Sequence, residues 1–149
     1  MIKSLIICLS VHHRNTEKIA KAMAEVLSAE ILRPDEVNIT RLFEYDLIGF
    51  GSGIYFGQHH QELLNLAEQL PVLNRKAFIF STKGIGPKSL YHRALGERLT
   101  KKGLKIIADF SCPGFDSNGF IKLFGGINKQ RPNEEDLAEA KEFARKLYA

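Results

Sequence analysis

I-K-S-L-I-I-C-L-S-V-H-H-R-N-T-E-K-I-A-K-A-M-A-E-V-L, Ile2 to Leu27, is the stretch from which the architecture follows. Ile2 to Leu9 is a nearly continuous apolar run, the pattern of a strand covered on both faces. Glu17 to Leu27 then takes helical spacing, with Ile19, Met23, Val26 and Leu27 as its stripe and Ala20 and Ala24 beside them. Asn15 or Thr16 is the natural N-cap, and Glu17 suits the positive end of the helix. Between strand and helix lies a polar knot, S-V-H-H-R-N-T, with no glycine in it. A strand running straight into a helix is the first half of a βαβ unit.

The same alternation continues outward. Glu30 to Leu32 reads as a second strand, and Pro34-Asp35-Glu36 opens one or two cramped helical turns ending near Phe43. Asp46 to Gly51 is a third strand and Ser52 to His60 a loop. Gln61 to Leu70 is helical, with Leu63, Leu66, Ala67 and Leu70 inward. Lys76 to Ser81 is a fourth strand, Thr82 to Pro87 a Gly-rich turn, and Lys88 to Lys102 a helix with Gly103 as its C′ residue. Leu104 to Ser111 is a fifth strand. Cys112 to Arg131 is irregular, and Pro132 to Asp136 introduces a last helix with the stripe Leu137, Ala140, Phe143, Ala144 and Leu147. Strands alternating with helical crossovers predict an α/β, doubly wound three-layer sandwich. The length and strand count point to one domain, residues 1–149, on a five-stranded parallel sheet of order 2-1-3-4-5.

Bulk properties narrow the function. The chain has 149 residues, 44% of them hydrophobic and 26% charged, and a net charge of +4. Such a balance suits a globular domain with one core. The excess positive charge fits anionic small ligands and is too scattered for nucleic acid. No run approaches the roughly 20 apolar residues of a membrane span, so no membrane partner is expected. The apolar N-terminus is short and lacks a cleavage site, so a cytoplasmic location is expected. Cys8 and Cys112 make neither a disulfide framework nor a metal spacing. Cys8 belongs in the core, and Cys112 reads as a buried, inert thiol. His12, His13, His59 and His60 lack carboxylate or thiol partners at ligand spacing, so no metal is expected.

In sheets of this order ligands sit beyond the carboxyl ends of the strands, at the switch point between the first and third. After the first strand, Ser10, Asn15 and Thr16 offer donors and the helix start offers free N–H groups, which suits a phosphate. After the third, G-S-G-I-Y-F-G (Gly51 to Gly57) lets backbone approach a flat ligand. There Tyr55 is placed to stack on a planar ring, and the Phe56 side chain is expected to fold back on the core. After the fourth, S-T-K-G (Ser81 to Gly84) can address the polar edge of a ring. Together the three loops suit an elongated aromatic phosphate.

The motifs S-x-x-x-x-N-T before a helix, G-F-G-S-G-I-Y-F-G and F-I-F-S-T-K-G together resemble the flavodoxin family of FMN-binding proteins. The likeness runs in order from Ile2 to Tyr148. It implies FMN as cofactor, held at its phosphate by Ser10, Asn15 and Thr16. It implies that Ser52, Gly53, Ile54, Tyr55 and Phe56 lie along the isoalloxazine, and that Thr82, Lys83 and Gly84 line its pyrimidine edge and ribityl chain. Where the family has Thr-Gly, this chain has His12, His13 and Arg14, which would add charge at the phosphate. The resemblance implies a redox protein working through FMN, as an electron carrier with a redox partner protein or as an NAD(P)H-linked flavin oxidoreductase. The alternative is a flavin-free interaction domain of the same fold. Ser111 to Pro132 exceeds the usual connection of about two to six residues. With Phe115, Phe120, Ile121, Leu123, Phe124 and Ile127 it is too apolar for disorder. It is expected to shape the cofactor pocket or a homodimer interface, with Lys122, Lys129 and Arg131 available to an anion. No catalytic residue is assigned.

Overall fold

The computed structural model describes residues 2–10, 15–83, 86–114 and 131–148. In chain order the elements are β1 (Ser4–Leu9), α1 (Asn15–Leu27), β2 (Glu30–Leu32), 3-10 turns at Pro34–Glu36 and Ile39–Glu44, β3 (Leu47–Tyr55) and β4 (Gln58–His59). Then come α2 (Gln61–Gln69), β5 (Lys76–Lys83), α3 (Lys88–Tyr91), α4 (Arg93–Lys101), β6 (Lys105–Pro113) and α5 (Glu134–Lys146). The five long strands pair in parallel in the order β2-β1-β3-β5-β6. This is the expected 2-1-3-4-5 sheet, with β4 added as an antiparallel arm on β3.

Alternation along each strand builds two cores. Leu5, Ile7, Ile48, Phe50 and Ile79 face one way and pack on Leu63, Leu64 and Ala67 of α2 and Leu95 and Leu99 of α4. Ile6, Cys8, Phe78 and Phe80 face the other way, against Ile19, Ala20 and Met23 of α1 and Ala140 and Ala144 of α5. Both faces of the central strands are therefore apolar, which is why β1 reads as a continuous hydrophobic run. Gly49 and Gly51 in β3 lie under the rings of Phe78 and Phe80, which occupy the space a side chain there would need.

Several boundaries differ from the sequence expectation, among them β5, which runs on to Lys83 where a turn from Thr82 was expected. Helix α1 begins at Asn15, so Asn15 and Thr16 lie inside its first turn. Strand β3 runs on to Tyr55, because β4 supplies a hairpin partner across the turn at Phe56 and Gly57. Both turn residues take positive φ, +53° and +80°. The helix expected over Lys88–Lys102 divides at His92 into α3 and α4, with helical bonds from His92 N to Lys88 O and from Gly96 N to His92 O, and the His92 side chain reaches Ser81 in the sheet. Strand β6 continues to Pro113. The expectations for residues 115–130 lie outside the described residues. Among the described residues, no helix is long and apolar enough to cross a membrane.

Candidate functional site

Register across the sheet aligns the ends of the strands. Leu9, Ser52, Ser81 and Ser111 form one rung. Gly53, Thr82 and Cys112 form the next, toward the carboxyl edge. Ser10 follows Leu9 at that edge. Its Oγ accepts the backbone N–H of Glu17, at 3.2 Å, so it caps α1 from the preceding strand. Thr16 Oγ1 lies 2.8 Å from Thr82 Oγ1, both side chains buried. Beyond them the end of β6 closes in: Gly114 N–H donates to Lys83 O at 3.1 Å. A Cβ on Gly114 would come within 3.0 Å of both Asn15 Nδ2 and Thr82 Cβ. Ser10, Asn15, Thr16, Thr82 and Lys83 are thus gathered around the N-terminus of α1.

Counting protons shows what this cluster can offer. A hydroxyl carries one proton and two lone pairs. Ser10 is used only as an acceptor in its bond to Glu17, so its own proton remains available. The Thr16–Thr82 pair consumes one of two protons and leaves the other. Together with the positive end of a 13-residue helix, these protons make a site for an anion with no carboxylate needed in the cluster.

The β3–β4 hairpin stands beside it. Tyr55 is half-buried, meets the His60 ring edge-on at 5.1 Å between centroids, and lies over Gly53. Phe56 corrects the expectation that its ring would fold back on the core: it is fully exposed at the hairpin tip. Phe56 takes a positive φ at the turn, and its side chain stands in solvent. Ser52 is wholly buried, and its hydroxyl staples the hairpin by donating to Gly53 O (2.6 Å) and accepting from His60 N (3.0 Å). Its hydroxyl is therefore engaged within the hairpin, and Gly53 and Ile54 follow it toward the end of β3. His12, His13, Arg14 and Gly84 lie outside the described residues.

Residues 5–110 match the family model described as the flavodoxin domain. This chain belongs to the flavodoxin domain family. An uncharacterized protein of Methanocaldococcus jannaschii is 48% identical over 147 residues, 98% of each chain. Among solved structures, the flavodoxin, WrbA-like protein from Agrobacterium tumefaciens aligns with a TM-score of 0.73 at 15% identity, over 98% of this chain and 94% of that one. A flavoprotein from Lactobacillus acidophilus, solved in complex with FMN, aligns with a TM-score of 0.61 at 17% identity, over 74% of this chain and 93% of that one. At such identities the two structures speak to fold.

This flavodoxin-domain chain also carries a buried polar line that sequence reasoning missed. His92 Nε2 lies 2.7 Å from Ser81 Oγ, and His92 Nδ1 lies 2.8 Å from Asp109 Oδ2. Ser81 Oγ in turn meets Ser111 Oγ at 2.8 Å, and Lys88 Nζ meets Asp109 Oδ1 at 3.2 Å. Burial pulls the His92 pKa below its ordinary value, more strongly than Asp109 raises it. Nearby, His59 is buried with Nε2 at 3.0 Å from Phe80 O, and its Nδ1 has no hydrogen-bond partner of normal geometry. Burial pulls the His59 pKa down to about 4. The His59 ring is therefore neutral at pH 7, and burial favours the neutral form of His92 as well. Two signals stood in the sequence: His92 falls on the inward stripe with Leu95 and Leu99, and Asp109 interrupts the apolar run of β6.

Cys8 and Cys112 are free, buried thiols, each pushed up to about 12, chiefly by burial. Among the described residues, no group of His, Cys, Asp or Glu could hold a metal ion.

Proposed function

We propose that this protein binds FMN along the carboxyl edge of the sheet and passes electrons through it. The observation that carries the reading is the convergence of Ser10, Thr16 and Thr82 at the N-terminus of α1, with spare hydroxyl protons, beside an aromatic hairpin. The donor set fits a phosphate, and the half-buried Tyr55 ring fits a flat isoalloxazine. Family membership and the solved FMN complex of a protein of this fold support it.

In this reading Ser10, Asn15 and Thr16 hold the phosphate, with His12, His13 and Arg14 adding charge. Gly53, Ile54 and Tyr55 lie along the ring, and Thr82, Lys83 and Gly84 face its polar edge. FMN supplies the redox chemistry when bound. The chain supplies orientation, neutral donors at the phosphate and the positive charge of Lys83 near the ring edge. Phe56, exposed beside Tyr55, favours an electron carrier with a protein partner docking at the hairpin. An NAD(P)H-linked oxidoreductase would use the same FMN site.

The test begins with FMN titration followed by gel filtration. Flavin absorbance should elute with the protein, with its fluorescence quenched. A protein that emerges colourless at micromolar concentration would sink the reading in favour of an interaction domain. Tyr55→Ala should weaken FMN by about tenfold, the scale of one lost aromatic contact. Turnover with NADH or NADPH and a quinone then separates oxidoreductase from carrier.

A further inference from the structure

The turn between β5 and α3 is fastened on both sides to one carboxylate. Before the turn, Ser81 is bonded to His92 and to Ser111 on β6. After it, Lys88 places its ammonium on Asp109 Oδ1 (3.2 Å) and on the Asp109 carbonyl (3.4 Å). His92, at the junction of α3 and α4, reaches Asp109 Oδ2. Asp109 lies on β6 opposite Ile79 and is one-third exposed, while His92 and Ser81 are buried.

We propose that Asp109, His92 and Lys88 form a clamp that positions the ends of the β5–α3 turn, Thr82–Lys83 and Gly86–Pro87, for the flavin ring. The inference rests on the FMN reading of this edge.

Hydrogen-bond directions in the clamp are fully determined. A carboxylate only accepts, so Nδ1 of His92 carries the proton. The neutral ring then leaves Nε2 bare, so Ser81 donates to it, and Ser111 donates to Ser81. Every buried polar atom in the line is satisfied with a single arrangement of protons. Core stability alone does not call for this. Apolar residues at 92 and 109 would extend the packing around Leu95 and Leu99 without desolvating a charge, and such replacements are often neutral or stabilising. What the polar line adds is a fixed distance between β5, β6 and the start of α3.

Protonation state sets the clamp. The groups facing His92 are His59 from β4 (ring centroids 5.0 Å apart), Lys83 from β5, Lys88 from α3 and Asp109 from β6, of which Asp109 alone is negative. A second proton on His92 turns Nε2 into a donor, forces Ser81 to reverse, and places a buried cation beside two lysines. The clamp is therefore intact at neutral pH and is disturbed as pH falls below the ordinary histidine range.

Asp109→Ala and His92→Gln, each as the full chain, test this in two arms. In the first, Asp109→Ala weakens FMN by about tenfold and shifts the visible bands of bound flavin, the expected cost of a loosened supporting shell. Wild-type FMN affinity falls as pH drops from about 6.5 to about 4.5, and His92→Gln flattens that part of the profile. In the second arm, hydrogen exchange of the cofactor-free protein rises in Asp109→Ala at residues 81–83 and 111–113 and stays unchanged in β1 and α1. Unaltered affinity and flavin bands in Asp109→Ala, or one pH profile shared by wild type and His92→Gln, would overturn the clamp. If wild type holds no FMN, the FMN reading falls by itself, and the exchange arm still judges whether the clamp orders these ends. Exchange that rises evenly over the whole sheet would overturn it too.

Discussion

Acid should weaken this protein in a window where its carboxylates are still silent, and His59 sets the size of the effect. The ring is buried, its Nδ1 lacks a partner of normal geometry, and burial holds its pKa at about 4 against an ordinary 6.5. In the unfolded chain the same ring takes up a proton near its ordinary value. Between these two values the unfolded state binds more protons, so stability falls as pH falls. Each unit of difference corresponds to about 1.4 kcal/mol, so from about pH 7 to about pH 5 His59 alone should remove roughly 2 kcal/mol. The His92 pKa is shifted in the same direction and adds to the loss. Asp35, Glu44 and Asp136 are held below their ordinary values by Arg33, Arg41 and Arg131, and their losses come at lower pH. Urea unfolding across this range measures the slope. His59→Gln keeps a donor for Phe80 O and has nothing to titrate, so its slope should be shallower by most of that 2 kcal/mol. Parallel slopes in the two proteins would show that His59 is not buried as a neutral ring.

Two glycines and two thiols give further checks. Gly51→Ala drives a Cβ into the Phe80 ring and should cost about 2–3 kcal/mol in urea unfolding. Gly57→Ala, at φ +80° with nothing within 4 Å, should cost only about 1 kcal/mol of backbone strain. A reversed order would contradict the packing of β3 under the aromatic rings. Cys8 and Cys112 should resist a disulfide-exchange reagent at about pH 8 in the native protein and react together once it is denatured, because buried thiols pushed up to about 12 carry almost no thiolate. Fast reaction of either thiol in the folded chain would count against its burial.

The architecture was legible because it depends on periodicity, and the site was legible in part because it depends on topology. Continuous apolar runs such as Ser4–Leu9 and stripes such as Ile19, Met23 and Leu27 are local signals, and alternation converts them into a sheet order. That order alone placed Ser10, Thr16, Tyr55 and Thr82 on one edge. What stayed hidden depends on register. The extension of β3 to Tyr55 needs the pairing with Gln58 and His59, and the exposed Phe56 takes its positive φ in the turn of that hairpin. The bond between Thr16 and Thr82 spans 66 residues and exists only once α1 and β5 are packed.

The Ser81–His92–Asp109 line shows where a sequence reading can be made sharper. Each member was a local anomaly: a histidine on an inward helical stripe, a carboxylate inside an apolar strand, and a serine at the end of a buried one. Taken singly, each is more simply read as a satisfied core residue or a solvated face. Taken together they obey one constraint, since a buried acceptor must find a donor and a buried donor an acceptor. Asp109 lies two residues before Ser111, and Ser111 pairs with Ser81 in the parallel register that the strand order implies. His92, eleven residues beyond Ser81 and at the start of the next helix, is then the ring within reach of both strands, donating to Asp109 and accepting from Ser81. A search for inward polar residues that can satisfy one another across adjacent strands would have found this line from the predicted topology. It would have found it next to the edge where the glycine and hydroxyl loops converge, which is where a fixed spacing between two strand ends has a use.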